Sequence, residues 1–401
     1  MGVTEDARAQ WNRYRTIVEA EALPCALVDL DALDANAAAV AKPLAGTSKT
    51  LRLATKSVRC PDLVARVRAA AGPVVRGLMT YTAAETAFWA ERGERDLLLA
   101  YPVGRANEAA HVAEANARGA TAAVVVDAPE HLELLAAAAR ARGVRIPVVV
   151  DLDVSWRPFG TLVHVGVRRS PVRDERDVVA LARRAAQTEG LVFHGVMAYE
   201  AQIAGVPDAG PAIRAMKAAS GRDVLRTRAA VARALADAGL PATVFNGGGT
   251  GSVAACAQEA TLTEATAGSG FLDSHLFDHY RGLTLRPAAF FALEVVRRPR
   301  PGLVTCHGGG YIASGSAGPE RLPIPALPAG LRLLSLEGAG EVQTPLEVPE
   351  GVELGPGDPI FFRHAKAGEL AEHFLEYLLV RGDRVEARAP TYRGMGKCFL
   401  G

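Results

Sequence analysis

LRLATKSVRCPDLVARVRAAAGPVVRGLMTY, residues 51–81, is the stretch that decides the fold. Its two ends, LRLATK (51–56) and VRGLMTY (75–81), are short apolar runs typical of buried strands. The segment DLVARVRAAA between them spaces its apolar residues as an amphipathic helix requires. A strand, a helix and a second strand in such close succession form the repeating unit of a parallel sheet. The same alternation continues on both sides of this unit.

Nine strand-like runs, separated by Ala-rich helical segments, occupy the chain from about residue 24 to about residue 270. They are ALVDL (26–30), LRLATK (51–56), VRGLMTY (75–81), DLLLAYP (96–102), AAVVVD (122–127), IPVVVDLD (146–153), VFHGVMAYE (192–200), TVFNGG (243–248) and LTEATAG (262–268). This alternation predicts an α/β fold whose parallel sheet is either doubly wound or closed into a barrel. No GxGxxG motif opens a helix after a strand and no P-loop occurs, which argues against a dinucleotide or nucleoside-triphosphate fold. We therefore predict a TIM-like (β/α)8 barrel with one run outside it.

The composition excludes several classes of protein. The 401 residues are 49% hydrophobic and 22% charged, which is typical of a globular chain of two domains. Lys plus Arg (45) nearly balance Asp plus Glu (44), so we expect neither a nucleic-acid partner nor a polybasic membrane anchor. Neither a transmembrane run nor a signal-peptide pattern occurs. The five cysteines contain no CxxC pair, which argues against a disulfide framework and favours a cytoplasmic location.

Three parts are predicted along the chain. Residues 1–23 form an N-terminal helical arm, residues 24–285 form the barrel, and residues 286–401 form a C-terminal β-domain with a helical and strand return at its end. The β-domain is predicted because short β-rich runs punctuated by Gly and Pro begin near residue 286. Its one long helix is expected over GELAEHFLEYLLV (368–380). The span 201–240 is expected to hold a loop or an extra helix beside the active face.

Lys56 and two glycine-rich turns lie at predicted strand ends. Catalytic groups of such barrels sit at the C-terminal ends of the strands, where a desolvated lysine can form a Schiff base. On position alone, a surface lysine just past a strand is the commoner interpretation. The turns NGGGT (246–250) and AGSG (267–270) follow strands seven and eight if the first run lies outside the barrel. That is the usual phosphate position of this fold, although each turn taken singly is more often an ordinary tight turn.

Five motifs carry a family resemblance, and they occur in the family's order. They are PCALVDLDALDANAAAVA (24–41), LRLATKSV (51–58), HGVMAYE (194–200), GGGTGS (247–252) and TEATAGSGF (263–271). The chain resembles the pyridoxal-phosphate enzymes of the alanine-racemase fold, closest to the D-threonine aldolase and D-serine dehydratase group. The resemblance implies that the first run lies outside the barrel and that Lys56 holds pyridoxal 5'-phosphate as an internal aldimine. It also implies a phosphate cradle made of Gly248, Gly249, Thr250, Gly268, Ser269 and Gly270.

The resemblance further assigns residues to the cofactor ring. Tyr199 matches the aromatic residue beside the ring, and Arg169 best matches the arginine that hydrogen-bonds the pyridine nitrogen. Arg157 is the alternative, because residues 155–168 resemble an insertion. A guanidinium has only donors, so the pyridine nitrogen stays unprotonated and the ring is a weaker electron sink. A core aromatic for Tyr199 and a surface ion pair for Arg169 are the structural alternatives.

The β-domain segment GDPIFFRHAK (357–366) departs from the family. The resemblance implies a metal held there by a histidine and, two residues on, by a cysteine or aspartate. His364 is retained, but Lys366 stands in the second position, and an ammonium has no lone pair for a metal. We therefore predict no metal, with His364 a ligand only if one is present. We expect Lys366 instead to supply positive charge to the substrate hydroxyl or carboxylate, with His364 as general base or acid. The structural alternative is that both residues only stabilise a domain interface.

Two further groups are weaker candidates. Glu369 and His373 stand four apart on the predicted helix, and together with His364 they could supply a different set of metal ligands. An exposed helix face is the preferred interpretation. CHGGGY (306–311) is a compact polar cluster, preferred as a turn.

The resemblance implies a lyase that acts on a small amino acid of the D-β-hydroxy class. The reaction is either cleavage of the Cα–Cβ bond, as in an aldolase, or β-elimination with deamination, as in a dehydratase. A racemase or epimerase is the alternative. Two-base racemisation typically uses Lys56 and a tyrosine from the partner subunit, and Tyr311 and Tyr392 are the available tyrosines. A non-catalytic cofactor-binding protein and a Schiff-base aldolase acting on sugar phosphates are less favoured. A homodimer is also implied.

Overall fold

The computed structural model describes residues 5–160 and 162–400. The chain begins with helix α1 (Glu5–Val18), strand β1 (Cys25–Asp29) and helix α2 (Leu30–Ala41), and then forms a closed barrel of eight strands. The barrel strands are β2 (Thr50–Ala54), β3 (Val75–Thr80), β4 (Asp96–Leu99), β5 (Thr121–Val126), β6 (Ile146–Asp151), β7 (Leu191–Met197), β8 (Val244–Gly247) and β9 (Glu264–Ala267). Neighbouring strands pair in parallel, and β2 pairs with β9 to close the barrel. The predicted (β/α)8 barrel is confirmed.

Helices separate the barrel strands. They are α3 (Pro61–Ala71), α4 (Ala83–Glu91), α5 (Ala106–Ala117), α6 (Pro129–Arg142), α7 (Glu175–Gln187), α8 (Ala201–Ala204), α9 (Pro211–Asp237) and α10 (Val253–Gln258). The long span between β7 and β8 therefore holds two helices, one of them 27 residues long. No helix among the described residues is both long and apolar enough to cross a membrane.

The barrel strands are buried on both faces, which explains their continuous apolar sequence. In β5, Val125 belongs to a small apolar cluster that also contains Leu98 and Val149. The flanking Val124 and Val126 belong instead to the large core cluster that includes the helices. Alternate side chains of one strand thus fill the barrel interior and the layer between strands and helices.

The second part of the chain forms a nine-stranded sheet. The strands and the one short α-helix in this part of the described chain are β10 (Ala289–Arg300), β11 (Leu303–His307), β12 (Ile324–Leu327), β13 (Arg332–Leu333), β14 (Gln343–Glu347), β15 (Pro359–Arg363), helix α11 (Ala367–Leu370), β16 (Glu376–Arg381) and β17 (Arg384–Pro390). Strand β1 lies inside this sheet, antiparallel to β10 and parallel to β16. The first strand-like run is therefore outside the barrel, as the resemblance implied. The range predicted for the barrel, 24–285, thus includes one strand of the other sheet.

The ends of the predicted parts reach beyond the described residues. Residues 1–4 of the predicted N-terminal arm and residue 401 of the predicted β-domain lie outside them. Within the described part of the arm, α1 is helical as expected.

The long helix predicted over residues 368–380 is wrong. The structure has the short α11, then a turn, and then β16, whose residues Tyr377, Leu378 and Val380 are buried between β1 and β17. A fully buried strand has a continuous apolar run, and such a run has the same local pattern as a segment of buried helix. Only the pairing with β1, which lies at the opposite end of the chain, distinguishes the two.

Candidate active site

A cavity of about 440 Å³ lies where the β-domain covers the C-terminal ends of the barrel strands. A volume of this size is typical of sites for small molecules and cofactors. The wall includes these residues that the sequence singled out: Lys56, Arg169, Tyr199, Gly248, Gly249, Thr250, Gly268, Ser269, Lys366 and Glu369. Three of the predicted site residues, Arg157, Gly270 and His364, are not among the described residues of the wall.

Lys56 follows β2 directly, in a tight 3-10 turn of Thr55–Ser57. Thr55 Oγ1 donates to the Met79 carbonyl oxygen of the next strand (3.0 Å), and Arg59 Nε donates to the Lys56 carbonyl oxygen (2.9 Å). These bonds hold the turn, so the Lys56 side chain faces the cavity. Burial, reinforced by the positive charges of Arg169 and Lys366, lowers the pKa of Lys56 to about 8. An amine with such a pKa is a better nucleophile at neutral pH than an ordinary lysine.

The β-domain closes directly onto the Lys56 turn. Gly368, in α11, lies so near the turn that a Cβ atom there would overlap the carbonyl oxygen of Lys56. Only glycine permits this approach, which carries Lys366 and Glu369 over the barrel mouth as part of the cavity wall.

The two glycine turns and the Lys56 turn form one continuous wall. Gly270 N donates to Thr250 Oγ1 (3.1 Å), which ties the turn after β9 to the turn after β8. The hydroxyls of Ser57 and Ser269 are 3.1 Å apart, which ties the same wall to the turn that carries Lys56. Gly270 thus acts behind the wall, through Thr250.

Close packing leaves no room for a Cβ atom at the glycines of these turns. A Cβ at Gly268 would lie 2.8 Å from Ser57 Oγ, and one at Gly249 would lie 3.0 Å from the Ala204 Cβ. Gly248 also has a φ of +86°, a conformation that favours glycine. The turns therefore present backbone and hydroxyl groups at the strand ends, as an anion site requires.

Arg169 and Tyr199 meet in the cavity. The guanidinium carbon of Arg169 lies 5.2 Å from the centroid of the Tyr199 ring and 5.6 Å from that of Tyr101. The cation is therefore held against two aromatic rings. Burial, reinforced by Glu200, raises the pKa of Tyr199 to about 12, so its hydroxyl stays protonated at neutral pH.

Arg157, the alternative to Arg169, lies elsewhere. Its Nη2 donates to Asp153 Oδ2 (2.9 Å), and the same carboxylate also pairs with Arg173. This ion-pair cluster holds the start of the segment that connects β6 to α7. Of the two arginines, the structure brings only Arg169 to the cavity.

Lys366 reaches the cavity, whereas His364 lies behind it. Lys366 Nζ donates to Ser314 Oγ (2.7 Å) and lies 3.5 Å from Glu369 Oε1. His364 Nδ1 lies 2.6 Å from the Lys366 carbonyl oxygen and 3.0 Å from its backbone nitrogen, so the imidazole braces the Lys366 backbone. Burial lowers the pKa of His364 to about 4, and the ring is therefore neutral at neutral pH.

Glu369 and His373 do not share an exposed helix face. Glu369 accepts from the Ser314 backbone nitrogen (2.7 Å). Burial opposes its ionisation, but the hydrogen bonds from Ser314 and the charge of Lys366 outweigh burial and lower the pKa of Glu369. His373 lies beyond α11, and its ring stacks on Tyr311 with a centroid distance of 4.5 Å.

The donors at this point do not fit a divalent metal. Lys366 stands where the resemblance implies a second ligand, and its ammonium has no lone pair to offer. Within residues 5–160 and 162–400, no group of three or more His, Cys, Asp or Glu side chains is arranged to hold a metal ion. At the position where the resemblance implies the second ligand, the structure has the positive charge of Lys366.

The two tyrosines considered as a second base lie off the cavity wall. Tyr392 is buried, and its hydroxyl donates to Glu85 Oε1 (2.7 Å) and accepts from Trp89 Nε1 (2.8 Å). Tyr311, at the end of the CHGGGY turn, packs against Phe291 and stacks on His373. Neither hydroxyl therefore lines the cavity of its own chain.

Sequence reasoning missed several residues of the site. Tyr101 and Arg59 line the cavity after β4 and β2, and position at a strand end was the signal that could have found them. Arg321, on the wall, and Ser314, which holds Lys366, belong to the irregular segment between β11 and β12, which carries no periodic signal.

Glu200 is a further buried residue that the sequence did not reveal. It accepts from Gly248 N (3.1 Å) and Ser252 Oγ (2.6 Å), so it braces the first glycine turn from behind. Arg228 of α9 pairs with Glu200 and with Glu259 (2.6 Å), so its guanidinium compensates the buried charge of Glu200. This network explains how the long helix α9 supports the cavity wall.

Comparisons with known proteins identify the family to which this chain belongs. The sequence model of the family described as alanine racemase, N-terminal domain, matches residues 28–271. D-threonine aldolase from Arthrobacter sp is 27% identical over 302 residues, which are 75% of this chain and 74% of that protein.

Solved structures show the same fold. The crystal structure of D-threonine aldolase from Filomicrobium marinum has a TM-score of 0.80 at 22% identity and covers 94% of this chain and 96% of its own. D-threo-3-hydroxyaspartate dehydratase from Delftia sp. HT23 has a TM-score of 0.74 at 19% identity and covers 94% of this chain and 98% of its own.

Proposed function

The chain belongs to the alanine racemase N-terminal domain family, and from that premise we propose that it is a pyridoxal-phosphate-dependent lyase acting on small D-β-hydroxy amino acids. The observation that carries the proposal is Lys56, a buried amine at a strand end whose pKa is lowered to about 8, beside two glycine turns. The relatives named above support the substrate class, since threonine and 3-hydroxyaspartate both carry a β-hydroxyl.

The cavity fits the cofactor in three places. Lys56 would hold its aldehyde, and the turns at 248–250 and 268–270, whose glycines leave no room for a Cβ atom, would hold its phosphate. Arg169 would donate to the ring nitrogen, beside Tyr199. When bound, pyridoxal phosphate supplies an electron-withdrawing ring that stabilises negative charge at the substrate Cα.

Lys366 is proposed to act at the β-oxygen of the substrate. Its ammonium is fixed by Ser314 and Glu369 at the rim of the cavity, so it can stabilise negative charge that develops on that oxygen. His364 is proposed to position Lys366 through its backbone rather than to touch the substrate, because it lies off the cavity wall. The same ammonium suits cleavage of the Cα–Cβ bond and expulsion of the β-hydroxyl.

A lyase is preferred to a racemase because of Tyr392 and Lys366. Two-base racemisation needs an acid–base group on each face of the substrate, and the Tyr392 hydroxyl is already bonded to Glu85 and Trp89. Lys366, on the side of the cavity that the β-domain contributes, instead favours chemistry at the β-carbon of the substrate.

The test is the Lys56→Ala variant. We expect it to lose both the cofactor absorbance near the visible edge and all turnover, because Lys366, the other amine of the wall, is engaged by Ser314 and Glu369. Borohydride reduction of the natural protein, followed by peptide mapping, should label Lys56. Lys42→Ala, which removes an exposed lysine, is the matched control and should keep absorbance and turnover.

Products distinguish the reactions. Glycine plus an aldehyde identifies an aldolase, a keto acid plus ammonia identifies a dehydratase, and an inverted amino acid identifies a racemase. The assays use D- and L-threonine, serine and alanine, with and without a chelator, and we expect the chelator to have no effect. Label on a different residue, or on none, would overturn the proposal.

A further inference from the structure

We propose that Arg321 binds a carboxylate of the substrate, at a subsite that the β-domain adds to the cavity. This inference rests on the proposed function for the identity of the substrate. It concerns a residue outside every motif that the sequence singled out.

The charges of the cavity point to a second anion besides a phosphate. Its described wall contains one acidic side chain, Glu369, and five cationic ones: Lys56, Arg59, Arg169, Arg321 and Lys366. The whole chain, by contrast, is nearly neutral, with a formal charge of +1. Positive charge is thus concentrated at this one site.

Most of these cations have partners that explain them. Arg59 pairs with Glu372 (2.5 Å), and Lys366 is bonded to Ser314 beside Glu369. Arg169 rests against two aromatic rings.

Arg321 is held in place without an adequate partner. Its nearest carboxylate is that of the neighbouring Glu320, 3.7 Å from Nε, and the Glu320 side chain is half exposed. Arg321 Nε is itself buried and has no hydrogen-bond partner among the described residues. A buried donor without an acceptor is costly, so a ligand that supplies one gains the corresponding free energy.

The loop around Arg321 is built to hold its guanidinium at the cavity. Gly315 has a φ of +125°, and a Cβ there would lie 3.1 Å from the guanidinium carbon, so the flat group packs on the bare backbone. Ala313 N donates to the Arg321 carbonyl oxygen (2.9 Å), which closes the loop. Ser314, in the same loop, is bonded to Lys366.

A carboxylate is the ligand that matches this donor. The planar guanidinium offers parallel N–H groups to two oxygens, and such charge-assisted pairs are strong and directional. Arg321 would bind a carboxylate, and Lys366, held by Ser314, would contact the β-oxygen. The loop that contains Ser314 and Arg321 would thus orient two groups of the same small substrate. The carboxylate is either the α-carboxylate or a second one on the side chain.

Calorimetric titration of the holoenzyme with D-alanine and D-aspartate tests the site. Arg321→Met removes the charge at similar length, and we expect it to weaken binding by about 10- to 100-fold, the loss typical of a charge-assisted hydrogen bond. Arg321→Lys keeps the positive charge but not the parallel N–H groups of the guanidinium, so we expect it to lose less binding affinity than Arg321→Met. It carries the test if the methionine variant does not fold. Arg332→Met, which removes an exposed arginine of β13, is the matched control.

Each outcome decides the proposal. Weaker binding of both ligands in Arg321→Met assigns the α-carboxylate, and weaker binding of D-aspartate alone assigns a side-chain carboxylate. Unchanged binding of both, or an equal loss in Arg332→Met, overturns the subsite. If borohydride reduction does not label Lys56, the proposed function is overturned, but the carboxylate subsite is not. Titration with succinate, which has no amine to exchange at Lys56, then decides the subsite by itself.

Discussion

Lys56 is the residue whose chemistry depends most on its surroundings. Burial and the charges of Arg169, Lys366 and Arg59 all disfavour its ammonium form, and together they lower its pKa to about 8. Two of these neighbours, Arg169 and Lys366, come from distant parts of the chain. The reactivity of one amine is therefore a property of the assembled cavity.

This arrangement predicts a pH dependence at the residue scale. Only the neutral amine attacks an aldehyde, so the rate at which cofactor-free protein takes up pyridoxal phosphate should rise with pH and level off above about 8. In Lys366→Met, the midpoint should move to higher pH, because loss of a nearby positive charge makes the ammonium easier to retain. Stopped-flow absorbance measures the rate. Lys397→Met, at an exposed lysine, should leave the midpoint unchanged; an unchanged midpoint in Lys366→Met would contradict the charge argument.

At the scale of elements, the barrel is held by an ion-pair cluster in which Arg52 and Glu264 are buried and Asp96 is exposed. Arg52 of β2 donates to both Glu264 oxygens of β9 (2.6 and 2.8 Å) and to Asp96 Oδ1 of β4 (2.7 Å). Asn246 of β8 also donates to Glu264 (2.7 Å). Four strands are thus joined through polar groups at the strand pair that closes the barrel.

Arg52→Met should destabilise the protein by about 3–5 kcal/mol, because it leaves the buried Glu264 carboxylate without its charged partner. Denaturant unfolding measures the change in the free energy of unfolding. Arg184→Met breaks a pair with Glu133 on the surface and should cost about 0–1 kcal/mol. Equal losses in the two variants would show that burial of the cluster does not matter.

At the scale of the whole molecule, contacts near both ends of the chain hold the β-domain and the barrel together. Strand β1 lies in the sheet of the β-domain, between β10 and β16. After β17, the chain returns to the barrel, where Tyr392 N donates to the Arg59 carbonyl oxygen (2.9 Å) and its hydroxyl bonds to Glu85. These contacts hold the β-domain over the barrel mouth.

Two tyrosines test this attachment. Tyr392→Phe should lower the free energy of unfolding by about 1–3 kcal/mol, because buried Glu85 and Trp89 each lose a hydrogen-bond partner. Tyr377→Phe is the matched control. Its hydroxyl is buried without a hydrogen-bond partner among the described residues, so its removal should be neutral or slightly stabilising. Thermal unfolding compares the two, and a loss of stability in Tyr377→Phe as large as that in Tyr392→Phe would contradict the argument.

Several expectations concern the molecule beyond one chain. The homodimer implied by the resemblance and the cytoplasmic location indicated by the cysteines stay predictions. The domain boundaries at residues 23 and 285 also stay predictions.

The sequence by itself determined the alternation of strands and helices, because strand and helix periodicities depend on residues only a few positions apart. The absence of nucleotide-binding motifs then favoured the barrel over a doubly wound sheet. The ends of parallel strands meet at one face of a barrel, which placed Lys56 and the glycine turns on that face, whereas their proposed roles came from the family resemblance. The tertiary structure alone decided that residues 376–381 form a strand, that Arg169 and not Arg157 reaches the cavity, and that Arg321 completes its wall while Ser314 holds Lys366. Those outcomes depend on contacts between distant parts of the chain. A local sequence pattern does not predict which irregular loop packs against which strand end.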